Sequence, residues 1–136
     1  PFVSVYEAYK KSGPNVLGVE ALQGDDGSTG VKVNTADGYA DYLFTATDMQ
    51  AHHPSTRVSF CGRLGLIREK EGQIQLMYLG CGRSLKKGNF VLESDHDVYA
   101  AIYMQHGVWY YSATGPVRVK IGKETKKLNE GYNQKL

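Results

Sequence analysis

Apolar residues in this chain recur at every second position in short runs, and clusters of turn-forming residues interrupt the runs every eight to fourteen residues or so. A period of two puts alternate side chains on opposite faces of an extended strand, so the pattern predicts half-buried β-strands throughout. Phe2 to Tyr9 is the first run, stopped by Lys10-Lys11-Ser12-Gly13-Pro14-Asn15. Val16 to Leu22 follows and ends at Gly24-Asp25-Asp26-Gly27. Gly30 to Asn34 alternates, and Ala36-Asp37-Gly38 supplies a tight turn before Tyr39 to Ala46. Thr47 to Thr56 is an irregular connection in which Pro54 argues against a continuing strand. Later strands are expected at Phe90 to Glu93, Val98 to Met104, Val108 to Ala113 and Val117 to Ile121. From Gly122 the chain reads as a polar, frayed tail, with a last short strand around Leu128 to Tyr132.

Arg57 to Arg68 and Ile74 to Gly82 form the clearest hairpin. A three-residue loop of Lys70, Glu71 and Gly72 would put glycine at the left-handed position such loops prefer. In that register Leu66 faces Leu76, Leu64 faces Tyr78, and Cys61 lies directly across from Cys81. Opposed residues in an antiparallel pair are within disulfide range. A Cys61–Cys81 disulfide would favour an exported protein, whereas two buried thiols side by side would be ordinary small core residues.

No segment shows sustained helical spacing, and strands follow one another through short links. The expected fold is therefore all-β, a two-sheet antiparallel sandwich of jelly-roll type with about nine strands and little or no helix. At 136 residues, with no internal repeat or linker, the chain reads as a single domain over residues 1–136. It begins at Pro1 without a methionine, which suggests a removed leader or a piece of a longer chain.

Charge and composition narrow the function. A net charge of +2 gives no electrostatic case for nucleic acid. No apolar stretch approaches the roughly 18 residues of a membrane helix. Lys86, Lys87, Lys120, Lys123, Lys126 and Lys127 suit solvated strand ends, or a patch that attracts an anionic polysaccharide. Ten tyrosines suit strand packing first, and sugar-facing platforms second. Trp109 and Tyr111 share one strand face, with Tyr110 on the other. Together with Tyr39, Tyr42 and Arg118 they are the candidate ligand-binding residues.

Signals for catalysis or metal binding are weak. His52 and His53 are adjacent, would point to opposite strand faces, and read as surface residues, as do His96 and His106 near turns. Ser94-Asp95-His96-Asp97 is oxygen-rich but lacks the spacing of a calcium loop, so a polar turn is expected. No motif supports a nucleophilic triad or a paired-carboxylate hydrolase. No catalytic residue, metal or cofactor is assigned.

One resemblance adds to this reading. Pro1-Phe2-Val3-Ser4-Val5-Tyr6-Glu7-Ala8-Tyr9, followed by Val16-Leu17-Gly18-Val19, resembles the opening of the C-terminal β-sandwich of heparinase II/III-like polysaccharide lyases. Asp37-Gly38-Tyr39-Ala40-Asp41-Tyr42-Leu43-Phe44 is similar to a strand of the same group. Ala8 stands where that pattern has proline. The resemblance implies a bacterial, periplasmic or secreted lyase that eliminates across uronic-acid linkages. Its catalytic groups lie in an (α/α) toroid and central sheet. None of their motifs occurs here, so the chain is expected to be a non-catalytic accessory module. Its expected partners are an adjoining catalytic domain or an acidic glycan. A free-standing carbohydrate-binding module is the alternative, and a small β-barrel enzyme or ligand carrier is a third reading.

Overall fold

In a computed structural model, which describes residues 4–8, 13–25 and 27–136, the chain is built from eleven β-strands. They are β1 (Val16–Ala21), β2 (Ser28–Thr35), β3 (Tyr39–Ala46), β4 (His52–Ser55), β5 (Val58–Lys70) and β6 (Gln73–Lys87). β7 (Phe90–Gln105), β8 (Val108–Ala113), β9 (Val117–Ile121), β10 (Glu124–Leu128) and β11 (Gly131–Lys135) complete them. Every pairing is antiparallel, and there is no helix among the described residues. The strand expected at Phe2 to Tyr9 lies partly outside the described residues, and its described part, 4–8, is not a strand.

Hydrogen bonds join all eleven strands into one sheet, where two separate sheets were expected. The sandwich arises by bending. β5 pairs β4 near its start and β3 along its second half; β7 pairs β9 through Phe90–Glu93 and β8 through Ala100–Gln105. The three long strands β5, β6 and β7 thus run through both halves. Ladder irregularities interrupt β5–β6 between Cys61 and Gly62, and β6–β7 between Leu79 and Ser84. At this point Gly62 and Gly82 are paired so closely that a Cβ on Gly62 would meet the Gly82 Cα at 3.0 Å. Only glycine permits that approach, and bulges of this kind sharpen the local twist. The core lies between the two halves. Phe44 and Phe60 meet edge to face at 5.0 Å, and Ile67, Met77, Leu79, Leu85, Leu92 and Ile102 are fully buried around them.

Several expectations need correction. The β5–β6 loop has two residues, Glu71 and Gly72, with φ of 51° and 75°, and Lys70 pairs with Gln73. Two successive positive φ angles are what a primed hairpin turn requires. With a bulge between Arg68 and Glu69, Leu66 faces Tyr78 and Leu64 faces Gly80. Cys61 therefore pairs with Ser84 and not with Cys81, which sits in the interrupted stretch with φ of 48°. Both cysteines are free thiols, and the Cys61 thiol donates to the Met49 carbonyl at 3.0 Å.

Pro54 does not prevent a strand. It lies in β4, an edge strand paired only with β5, where a missing N–H is tolerated. The expected polar turn at Ser94–Asp97 lies within the continuous β7, at the bend between its two halves. The supposed tail supplies β10, hairpinned to β9, as well as β11.

Candidate functional site

The aromatic candidates go mostly to the inside. On β8 the inner face carries Trp109, Tyr111 and Ala113; Tyr111 is buried in the core and Trp109 packs against Phe90 at 5.8 Å. One flank of Trp109 still borders an apolar cleft of about 250 Å³ with Val119, Ile121 and Leu136. Tyr39 and Tyr42 are engaged by cations from within the chain. Arg68 and Lys70 lie 5.1 and 4.8 Å from the Tyr39 ring centre, and Lys87 lies 4.0 Å from that of Tyr42. Lys87 also pairs with Glu69 at 2.5 Å. Burial, and then the Glu69 carboxylate, pushes the Tyr42 hydroxyl above its ordinary value. These cation–π contacts tie strand ends together.

Arg118 has a different setting. Residues directly paired across antiparallel strands share a face. Ser84 on β6, Glu93 on β7, Arg118 on β9 and Lys127 on β10 form one such row on the outer surface. Lys86 and Lys120 lie on the same face one step along. Glu93 is bridged by Arg118 and, at 3.1 Å, by Lys86. Burial pushes the Glu93 carboxyl up, but those hydrogen bonds outweigh it and hold it below its ordinary value. Beyond Glu93, Arg118 and Lys127 face each other as like charges, an arrangement that costs stability. The surrounding groove, about 540 Å³, is edged by Arg83, Asp95, Pro116 and Asn129.

Sequence reasoning missed a second surface. Tyr78, Ala101 and Ser112 form a row across β6, β7 and β8, and Tyr103 pairs with Tyr110. Tyr103 and Tyr110 stack at 5.9 Å with planes only 17° apart. A cleft of about 680 Å³ opens beside them, walled by Tyr78, Tyr99 and Tyr132 with Ala101, Ser112 and Gly131 between. Tyr99 is 55% and Tyr132 77% exposed. The alternation of Trp109-Tyr110-Tyr111 carried the needed signal, but only the register shows which face is outward.

The histidines do not assemble a site. His52 is not a surface residue: it is buried between Asp25 (3.1 Å) and Asp48 (2.7 Å), while His53 on the opposite face is exposed. His96 and His106 are exposed. No three His, Cys, Asp or Glu side chains converge as a metal would require, among the described residues.

The fold and these surfaces define an all-β domain with two polar or tyrosine-lined depressions, the Arg118 groove and the tyrosine cleft, on the outside of a bent sheet. The model of the endo-acting ulvan lyase C-terminal domain matches residues 16–104, most of the chain from β1 to β7, and the chain belongs to that family. An endo-acting ulvan lyase from Formosa agariphila (strain DSM 15362 / KCTC 12365 / LMG 23005 / KMM 3901 / M-2Alg 35-1) is 33% identical over 101 residues. That similarity covers 70% of this chain and 12% of the Formosa protein. No solved structure matches. The resemblance to a C-terminal domain of a polysaccharide lyase thus holds at the level of the lyase domain.

Proposed function

We propose that the chain is a non-catalytic C-terminal module of a polysaccharide lyase, supporting the catalytic domains and contacting an acidic glycan. The observation that carries this reading is the Arg118 face. Lys86, Arg118, Lys120 and Lys127 share it with a central carboxylate, Glu93, in a domain of a lyase family. Such a cluster raises the local concentration of an anionic polymer even where the net charge is small. Ulvan, named in the relative, is the first candidate glycan. A parent lyase of heparinase II/III-like organisation, exported to the periplasm or beyond, completes the proposal. In support of a non-catalytic role, Tyr42 and His52 are each committed to partners within the chain, Tyr42 to Lys87 and His52 to two carboxylates.

The test is titration of the chain with ulvan and a panel of uronic-acid polysaccharides, following NMR shifts together with the absorbance of unsaturated products. Binding without cleavage, with shifts at Arg118 and Lys127, is expected. Cleavage by this chain alone would overturn the non-catalytic reading. The exposed tyrosines favour one variant of it, a carbohydrate-binding module that acts independently of the catalytic domains.

A further inference from the structure

We infer that the Arg118 groove and the tyrosine cleft are two sections of one path for a single anionic polysaccharide chain. In this arrangement sugar rings stack on Tyr99 and Tyr132, and acidic groups are held by Arg118 and Lys127. The inference rests on the glycan-contacting role proposed above and adds the site and the division of labour within it.

Both sections lie on the same side of β7. Its inward residues are Phe90, Leu92, Val98, Ala100 and Ile102, all in or against the core. Glu93 in the groove and Tyr99 and Ala101 in the cleft occupy the alternate, outward positions, so both surfaces belong to the outer face of the bent sheet, one on each side of the bend. Tyr99 lies six positions beyond Glu93, at most about 20 Å of strand. The sections also draw walls from the same two connections. Thr114 borders the cleft and Pro116 the groove within the β8–β9 connection; Glu130 borders the cleft and Asn129 the groove within the β10–β11 connection. The two linings thus come within one or two residues of each other along the chain at both connections.

Their chemistry is complementary. Tyrosine offers a flat apolar ring with a polar tip, which suits the C–H face and hydroxyl rim of a sugar. Ala101, Ser112 and Gly131 leave room between the tyrosine walls for a ring to settle. The charged side chain bordering the cleft is Glu130, which repels carboxylate or sulfate. In the groove the sign reverses. Arg118 and Lys127 oppose each other directly, Glu93 is already shared by Arg118 and Lys86, and Lys120 and Lys127 make no ion pair among the described residues. An acidic group between Arg118 and Lys127 would relieve their repulsion. Opposite charge preferences at the two ends orient a polymer whose sugars differ in charge.

The experiment uses the 136-residue chain, size-graded ulvan oligosaccharides and calorimetric titration. Variants are Tyr132→Ala and Tyr99→Ala in the cleft, Lys127→Ala and Arg118→Ala in the groove, each checked for an unchanged melting transition. With long oligosaccharides, one ligand should bind per chain. Each variant should weaken it by about threefold to tenfold, and only the groove variants should flatten the salt dependence. With disaccharides, cleft and groove losses should separate. Long oligosaccharides that bind normally to both tyrosine variants, or two independent ligands per chain, would overturn the shared path while leaving the glycan-contacting role standing. Absence of binding by the unaltered chain to any acidic polysaccharide would instead overturn that role, and the path with it.

Discussion

His52 shows how much a single side chain can depend on distant residues. Its ring lies between Asp48 and Asp25, and Asp25 also accepts hydrogen bonds from the backbone of Gly27 and His53 and from the Ser28 hydroxyl. The hydrogen bond to Asp48 raises the His52 pKa above 6.5, against burial and with help from Asp25. Asp25 is held down at about 2, chiefly by the His53 N–H. The signs differ. The His52 contribution to stability is complete below pH 6.5 and is lost as pH rises through its raised pKa. The Asp25 contribution is present above pH 3.8 and is lost as pH falls toward 2. Stability should therefore decline on both sides of a mildly acidic plateau, and His52→Asn should abolish the decline on the alkaline side in urea melts taken across pH. Gly27→Ala offers a second check, because a Cβ there would lie 1.9 Å from the His52 ring. The NMR midpoint of His52 should fall in that variant; an unchanged midpoint would show that Asp25 and Asp48 do not set it. The opposite facing of His52 and His53 was readable from their adjacency. Their partners were not, because Asp25 and Asp48 come from other connections and carry no pattern linking them to β4.

Between elements, alternation located most strands but could not count bulges. The boundaries of β3, β8 and β9 follow directly from apolar periodicity and flanking turn residues. The β5–β6 register does not, since one two-residue turn and two ladder irregularities move every pairing from the expected one. β10 was illegible for another reason: Glu124-Thr125-Lys126-Lys127 is exposed on both faces, so nothing in its polarity marks a strand. Packing between elements gives a sharp test at Gly65, where a Cβ would lie 2.1 Å from the buried Phe44 ring. Gly65→Ala should cost roughly 1–3 kcal/mol in urea denaturation, as overpacking does. Gly18→Ala, on exposed β1 with nothing within 4 Å, should be neutral or slightly stabilising. The β9–β10 pair carries the opposite expectation. Lys127→Glu turns a repulsive cross-strand pair into an attractive one and should stabilise the free chain by a few tenths of a kcal/mol. The same change should weaken binding of acidic glycans, and a variant that gained stability without losing affinity would argue against an anion site there.

For the molecule as a whole, an all-β sandwich was legible, but its closure was not. Period-two patterns describe the faces of strands and are identical for two stacked sheets and for one sheet bent through shared strands. The polar run Ser94–Asp97 was a reasonable turn; in the structure it is where β7 passes from one half to the other. This difference has a thermodynamic consequence. Three strands run through both halves, and Phe60 of one half packs on Phe44 of the other. Separating the halves would break the sheet and the core together, so unfolding should be one cooperative step. Trp109 is the single tryptophan and sits on β8, so its fluorescence reports one half while far-ultraviolet circular dichroism reports all the strands. The two probes should give one midpoint in the unaltered chain. Phe60→Ala, which empties a fully buried position distant in sequence from Trp109, should shift both by the same amount, about 3–5 kcal/mol in stability. If Trp109 kept its midpoint while the dichroism transition moved, the halves would be folding as separate sheets, and the bent-sheet continuity that brings the tyrosine cleft and the Arg118 groove onto one surface would be lost with them.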